Sequence, residues 1–269
     1  MRIRFRAGTL WSGAAWSSAG TIAYTSSGPA LLPYGGVLWL AYREATTNAV
    51  TFKQMSTSGT WSGASTLPGA VQTDSDIALA EFGGNLYVFY RPVGAGSQPI
   101  RYFVRSGGTW SGPGNTSASS DSGPAAAVVD NRLYLVYRRG TGASNLYYRY
   151  LETSLFSAEQ QIGRQTATHV AIAAADGSPT VASYRGRLHV AARSTDGASR
   201  YSSYCYCPST PCGCTYRPGE WTQTVRLPHQ MSSGPPVLYT DAGDATIGTP
   251  LYLAYPSGSN VLWDYKVSE

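Results

Sequence analysis

Arg132-Leu133-Tyr134-Leu135-Val136-Tyr137-Arg138 is an apolar, aromatic-rich run that ends on an arginine. It recurs. Asn85-Leu86-Tyr87-Val88-Phe89-Tyr90-Arg91 repeats it 47 residues earlier, and Val37-Leu38-Trp39-Leu40-Ala41-Tyr42-Arg43 lies 48 residues before that. Arg187–Arg193 and Pro250–Pro256 are the downstream copies. β-Branched, leucine and aromatic residues in a run this short, bounded by turn residues, predict a strand. Five copies of one such strand predict a repeat protein, with the rest of the chain in register with that strand.

Three further columns fall into line. Upstream, Ser27-Gly28-Pro29-Ala30, Ser75-Asp76-Ile77-Ala78, Ser122-Gly123-Pro124-Ala125, Gly177-Ser178-Pro179-Thr180 and Ser233-Gly234-Pro235-Pro236 each begin a strand of small residues. The fifth copy carries an insertion around Asp241–Ile247. Small side chains suit the crowded inner position of a radial sheet, and proline is tolerated at a strand's first residue. Downstream, Ala49–Ser56, Ile100–Ser106, Leu146–Glu152, Arg200–Cys207 and Val261–Val267 are predicted as third strands. The fourth column is Gly-Thr-Trp-Ser-Gly at 59–63 and 108–112, with echoes around Trp11, Phe156 and Trp221.

Four strands in about 47 residues is the plan of a β-propeller blade. The expectation is therefore an all-β, five-bladed β-propeller of four-stranded antiparallel blades, forming a single domain over 1–269. The blades fall at about 21–69, 70–116, 117–165, 166–229 and 230–269 plus 1–20. The ring is expected to close through the N-terminal strand Thr9–Ala19, which completes the last blade and removes two open edges. Arg2–Arg6 aligns with the third column, which blade five already fills.

Composition agrees with this. Charged residues are 13%, against 30 glycines and 20 tyrosines. That balance suits short strands and tight turns, and no long helical periodicity is present. The net charge of +5 comes from 18 arginines and only Lys53 and Lys266, scattered along the repeats. Without a basic run, nucleic acid is not an expected partner. No apolar run approaches the ~20 residues that span a bilayer, so membrane insertion is not expected. Met1–Arg6 leads into polar residues without an apolar signal region. The expectation is cytoplasmic synthesis, with non-classical export or action outside the cell.

The candidate site comes from two polar columns. Arg43, Arg91, Arg138 and Arg193 end the second strand in four repeats, where the fifth has Pro256. Ser26, Asp74, Asp121, Asp176 and Ser232 precede the inner strand. In a propeller both columns lie on one face of the ring. The residues then form either an Asp–Arg network tying blades together or polar pockets between blades that donate to sugar hydroxyls or a carboxylate. A metal-binding aspartate cluster is a third arrangement. The repeated aromatics, Tyr42, Tyr90, Tyr137 and Tyr255 with Trp39, Tyr87, Tyr134, His189 and Tyr252, are expected to pack blade against blade, with some available as sugar-stacking walls.

Cys205, Cys207, Cys212 and Cys214 sit in the insertion that lengthens blade four, in the order Cys-Tyr-Cys-Pro-Ser-Thr-Pro-Cys-Gly-Cys. On a hairpin, residues i and i+2 share a face, so Cys205 would meet Cys214 and Cys207 would meet Cys212. Two nested disulfides, one structural zinc held by four thiolates, and free thiols are the three alternatives. All are structural, and no cofactor is required. His169, His189 and His229 share no spacing, so neither a triad nor a metal-ligand set is expected.

The Gly-x-Thr-Trp-Ser turn with an upstream Leu-Tyr-x-x-Tyr-Arg strand resembles the degenerate Asp-box repeats of sialidase-like propellers. The plan of five units is similar to the five-bladed tachylectin, and to bacterial and fungal propeller lectins. The resemblance implies a propeller and a non-enzymatic, multivalent lectin that binds glycans or a glycosylated receptor, alone, as a homo-oligomer or within a larger assembly. The Asp of the Asp-box is missing from 56–61 and 105–110. No arginine triad, tyrosine nucleophile and acid can be placed, so sialidase activity is not implied. A glycoside hydrolase using Asp74, Asp121 and Asp176 is the second expectation, and a protein-interaction scaffold the third.

Overall fold

The computed structural model describes residues 2–6, 16–21, 23–140, 145–162, 178–184, 187–194, 198–205, 221, 225–230, 237–240, 251–256 and 262–267. Every regular element among them is a strand. β1 (Arg2–Arg6) and β2 (Trp16–Thr21) pair as a two-stranded antiparallel sheet. Blade one is β3 (Ala30–Tyr34), β4 (Val37–Arg43), β5 (Val50–Met55) and β6 (Ser65–Thr66). Blade two is β7 (Ala78–Phe82), β8 (Asn85–Tyr90), β9 (Gln98–Ser106) and β10 (Thr109–Ser120). Blade three is β11 (Ala125–Val129), β12 (Arg132–Arg138), β13 (Leu146–Leu151) and β14 (Gln160–Gln161). Blade four is β15 (Thr180–Tyr184), β16 (Arg187–Arg193), β17 (Ala198–Cys205) and β18 (Val225–Gln230). Blade five has three strands, β19 (Val237–Thr240), β20 (Leu251–Pro256) and β21 (Leu262–Val267).

Each full blade is an up-and-down meander whose first strand lies innermost. Its inner hairpin is set by the turn. Gly35-Gly36, Gly83-Gly84 and Asp130-Asn131 all hold positive φ at both central residues. Two successive left-handed residues make the mirror-image turn whose twist matches the flanking strands. The register is therefore fixed without slip, Leu133 facing Val128 and Val136 facing Ala125.

The second strands of blades one to four are buried on both faces, which explains their near-continuous apolar reading. Leu133, Leu135, Val136 and Tyr137 are fully buried. Each such side chain contributes about 1.5–3 kcal/mol of burial. Alternate residues point to opposite neighbours. Trp39, Ala41 and Phe52 of blade one pack with Leu79, Leu86 and Tyr90 of blade two. Ala80 and Phe89 of blade two pack with Leu135 and Tyr137 of blade three, and Tyr134 and Val136 of blade three pack with Leu188 and Val190 of blade four. The fourth-column aromatics bridge backward. Trp110 stacks on Phe52 of blade one with centroids 5.4 Å apart. Phe156 meets Tyr102 of blade two at 5.7 Å, and Trp221 meets Tyr148 of blade three at 5.7 Å. Among the described residues the aromatic columns pack as expected, and His189 is a buried core ring against Tyr184.

The small-residue column has the crowding expected of it. A Cβ on Gly123 would come within 2.7 Å of the Asp76 Cβ and 2.8 Å of the Asp76 backbone nitrogen and oxygen. Neighbouring segments also bond directly here. Gly28 N–H donates to Asp76 Oδ1 at 2.6 Å, and Gly123 N–H donates to Ser178 Oγ at 3.0 Å.

Ring closure differs from the expectation. The inner strands adjoin in the order β3, β7, β11, β15, β19, but β19 does not pack on β3 as the other neighbours do. Nor does β2 extend blade five. It pairs with β1, Arg6 facing Trp16 and Arg4 facing Ser18. The physical reason is loop closure. A hairpin across a nine-residue connection orders far less chain than a pairing between opposite ends of the sequence. β1 thus aligns in sequence with the third column, and β2 follows it as its antiparallel partner.

Candidate functional site

The Arg and Asp columns meet within blades two and three, and Arg43 meets Ser26 at the same place in blade one, on the face where the inner strand begins and the second strand ends. The separation is 17 residues each time. Arg91 Nη1 donates to Asp74 Oδ1 in a short ion pair. Its Nε donates to Ser120 O at 3.0 Å, and Nη2 to Gly94 O and Gly96 O at 2.7 Å each. The Arg91 side chain is only 7% exposed, so its donors are turned inward. Arg138 Nε donates to Asp121 Oδ1 at 2.6 Å. In blade one, where serine replaces aspartate, Arg43 Nε donates to Ser26 Oγ at 2.8 Å. Among the described residues Arg43 has no carboxylate partner. The adjacent Glu44 carboxylate is occupied by Thr47 N–H at 2.6 Å, Thr47 Oγ1 at 2.8 Å and Thr46 N–H at 2.9 Å, and these bonds, those of Thr47 first, hold its pKa below the usual range. Arg193 ends β16, but Asp176 lies outside the described residues.

These pairs are reinforced by a hydroxyl column that the sequence reading passed over. Thr73 Oγ1 donates to Arg91 O at 2.7 Å, and Ser120 Oγ donates to Arg138 O at 2.6 Å. The same hydroxyl oxygens accept the N–H two residues on, from Ser75 and Ser122. The signal is Thr/Ser–Asp–Ser, readable at 73–75 and 120–122 once the columns are aligned. Beside it, Tyr137 Oη donates to Glu159 Oε2 at 2.6 Å, while Arg139 Nη1 donates to Oε1 at 3.1 Å. Burial, followed by the Glu159 carboxylate, pushes the Tyr137 phenol far above its ordinary pKa.

The opposite face, carrying the β3–β4 type of turn, holds charged groups that the sequence reading did not single out. At the junction of blades one and two, the Arg105 guanidinium lies 5.3 Å from the Trp39 ring centroid and 5.5 Å from that of Trp110. Arg105 has no carboxylate partner among the described residues. Tyr34 reaches across from blade one, its Oη donating to Gly84 O at 3.1 Å. Glu81, Leu86 and Arg105 stand opposite one another on β7, β8 and β9, so the two charges flank an apolar centre roughly 10 Å apart at ordinary strand spacing. Glu81 also rims an open cleft of about 570 Å³ whose apolar floor is Pro33, Leu38 and Met55 and whose polar edge is Ser56 and Thr57. Blade three repeats the chemistry in another arrangement. Arg132 lies 4.6 Å from the Tyr150 centroid and donates from Nη2 to both oxygens of Glu152, at 3.1 and 3.0 Å.

Among the described residues no group of three or more His, Cys, Asp or Glu side chains converges for a metal. No helix among them is long and apolar enough to cross a membrane. Cys205 ends β17, and Cys207, Cys212 and Cys214 lie outside the described residues, as does the hairpin expected to join them.

No protein-family model and no curated protein matches the sequence. Solved structures do. A triple arginine-to-alanine variant of AofleA from Arthrobotrys oligospora is 15% identical, over 96% of this chain and 74% of that one, with a TM-score of 0.68. The six-bladed fucose-recognising lectin of Aleuria aurantia is 11% identical, over 93% and 79%, with a TM-score of 0.62. The α-L-arabinofuranosidase of Fusarium graminearum is 15% identical, over 94% and 81%, with a TM-score of 0.61. At these identities the shared property is the fold, and with the radial order of the blades it makes this chain a β-propeller.

Proposed function

We propose that this propeller is a non-enzymatic, multivalent carbohydrate-binding protein whose glycans lodge where blades meet. The observation that carries the reading is Arg105, an arginine without a carboxylate partner laid on two indole rings, with the exposed Glu81 across the same sheet. A pyranose offers an apolar C–H face and a rim of hydroxyls. An aromatic wall takes the first. A guanidinium held by cation–π contact donates in a fixed plane to the second, and a carboxylate accepts from it. Arg132, Tyr150 and Glu152 offer the same three groups in blade three, and Arg43 is a further donor on the opposite face. Weak sites displayed together gain avidity on a glycosylated surface. The fold neighbours include fungal fucose lectins, which supports this reading. Site number follows blade number, which we take as five inner-strand units plus the outer pair β1 and β2.

The test is a glycan array at high protein density, followed by titration of any hit. Arg105→Ala is expected to weaken binding at its junction about tenfold, with the fold intact by circular dichroism. An array without a hit sinks the reading.

A glycoside hydrolase is the second reading, favoured by propeller glycosidases among the neighbours. It needs two carboxylates across a scissile bond, about 5–5.5 or 6.5–9.5 Å apart. Asp74 and Asp121 are each engaged by an arginine. Turnover of a glycan that Asp121→Asn abolishes would establish the enzyme in place of the lectin.

A further inference from the structure

We infer that Arg43 and Tyr24 of blade one bind an acidic sugar, a uronic acid, whose carboxylate takes the place that an aspartate fills in the next two blades. The blades supply their own comparison. Arg91 commits four donors: Nη1 to Asp74, Nε to Ser120 O at 3.0 Å, and Nη2 to Gly94 O and Gly96 O at 2.7 Å each. The second oxygen of Asp74 accepts Gly94 N–H at 3.3 Å. Arg138 Nε donates to Asp121 Oδ1 at 2.6 Å. At the same position blade one carries Ser26. Arg43 turns both Nε, at 2.8 Å, and Nη2 onto the single Ser26 Oγ. A guanidinium has five N–H donors. With two spent on Ser26, the three at the outer edge of Arg43 bond no group among the described residues.

Glu44 does not take the role of Asp74. The bridge between Thr25 and Glu44 puts Glu44 on the other side of the two chains from Arg43, and its Oε2 is already taken by Thr46 and Thr47. The same bridge sets Ser26 opposite Arg43 and Tyr24 opposite Ala45, whose N–H donates to Tyr24 O at 3.3 Å. Side chains alternate along a strand, so Tyr24, Ser26 and Arg43 fall on one side. Diagonal neighbours on such a ladder stand about 7–8 Å apart, within reach of an aromatic ring and a long side chain. Tyr24 is 73% exposed. Its counterparts in blades two and three are Gln72 and Ser119, so the open ring stands in the blade whose arginine lacks an aspartate. A uronic acid matches both groups. Its pyranose face lies on the phenol ring, and its carboxylate accepts two parallel bonds from the outer edge of the guanidinium. The sugar rests on the carbohydrate reading above, and the carboxylate on the Arg43 geometry alone.

The probe is methyl β-glucuronide, titrated into the intact protein beside methyl β-glucoside, which carries a hydroxymethyl group in place of the carboxylate. The Arg43 Nε–H resonance follows both. The glucuronide is expected to shift it and to bind about tenfold more tightly than the glucoside. Ser26→Asp should abolish glucuronide binding, keep the circular dichroism and raise the melting temperature, because an internal carboxylate then engages Arg43 as Asp74 engages Arg91. Arg43→Gln should abolish binding as well, and Tyr24→Ala should weaken it about fivefold. Glucuronide and glucoside binding alike overturn the inference, as does glucuronide binding that survives Ser26→Asp. Acetate, or a peptide with a free terminal carboxylate, binding as tightly as the glucuronide would overturn the sugar assignment. Absence of glucuronide binding while a neutral glycan is held through Arg105 overturns this inference and leaves the lectin reading standing. Glucuronide held through Arg43 with no neutral glycan captured on the array supports it and sinks the Arg105 site.

Discussion

Gly123→Ala tests whether backbones meet at the inner end of the blades. At an ordinary φ, replacing glycine by alanine stabilises a protein by about 0.4–1 kcal/mol through the unfolded chain. Gly123 has no positive φ, so that gain is available in principle. The structure reverses the sign. The added methyl carbon would lie 2.7–2.8 Å from Asp76 Cβ, N and O, and backbone atoms do not swing away as a side-chain tip would. Overpacking of this kind costs about 1–3 kcal/mol. For a 269-residue chain the unfolding entropy scales to a fall of about 2–5 °C in melting temperature. Gly28→Ala is the graded comparison, because its nearest neighbour is the Asp76 Oδ1 tip at 3.1 Å, and it should lose less. Gly63→Ala, with nothing within 4 Å, should be neutral or slightly stabilising. Thermal melts of the three variants decide the matter. A Gly123→Ala protein as stable as wild type would refute the close approach of blades two and three.

Asp74→Ala should cost about 1.5–3 kcal/mol, the loss of a charge-assisted bond to a buried guanidinium, whereas Ser26→Ala in blade one should cost less than about 1 kcal/mol. Urea midpoints separate the two, and equal losses would show that the Arg91 pair adds nothing to an ordinary hydrogen bond. The raised pKa of Tyr137 gives a pH dependence with a definite sign. The phenol stays protonated in the folded chain while the unfolded one ionises near pH 10. Its contribution is therefore intact below about pH 10 and is lost as pH climbs above it. Tyr137→Phe should lose stability less steeply than wild type over that alkaline range, and parallel curves would remove Tyr137 from the explanation.

The fold was legible because the second strands carry two signals at once. Leu-Tyr-x-x-Tyr-Arg is apolar on both faces, as a sheet sandwiched between sheets requires, and it recurs five times along the chain. The small column was legible for the same reason, since Gly123 and Gly28 stand where backbones converge. The pairing of β2 was not, because Trp11 matched the fourth column without saying which third strand it would join. Arg2–Arg6, aligned to the third column, was the partner. Asp76 interrupts a glycine column, and only the neighbouring Gly28 N–H, 48 residues away, accounts for it. Arg105 sits between indoles of two blades, and Arg132 faces Glu152 through the register of β12 on β13. Such contacts depend on how sheets are laid against one another, a quantity that no periodicity within a single strand encodes.

The 17-residue spacing of Arg and Asp has a consequence for how such a ring can change. Each brace begins and ends inside one repeat, so a duplicated or deleted repeat carries its own brace with it. Between repeats the requirements are loose by comparison: a glycine or serine near the axis, and an aromatic wedge on the preceding unit. A gene encoding this chain can therefore gain or lose whole modules without leaving a guanidinium stranded, and drift in the modules that remain, as at Ser26, changes one brace at a time.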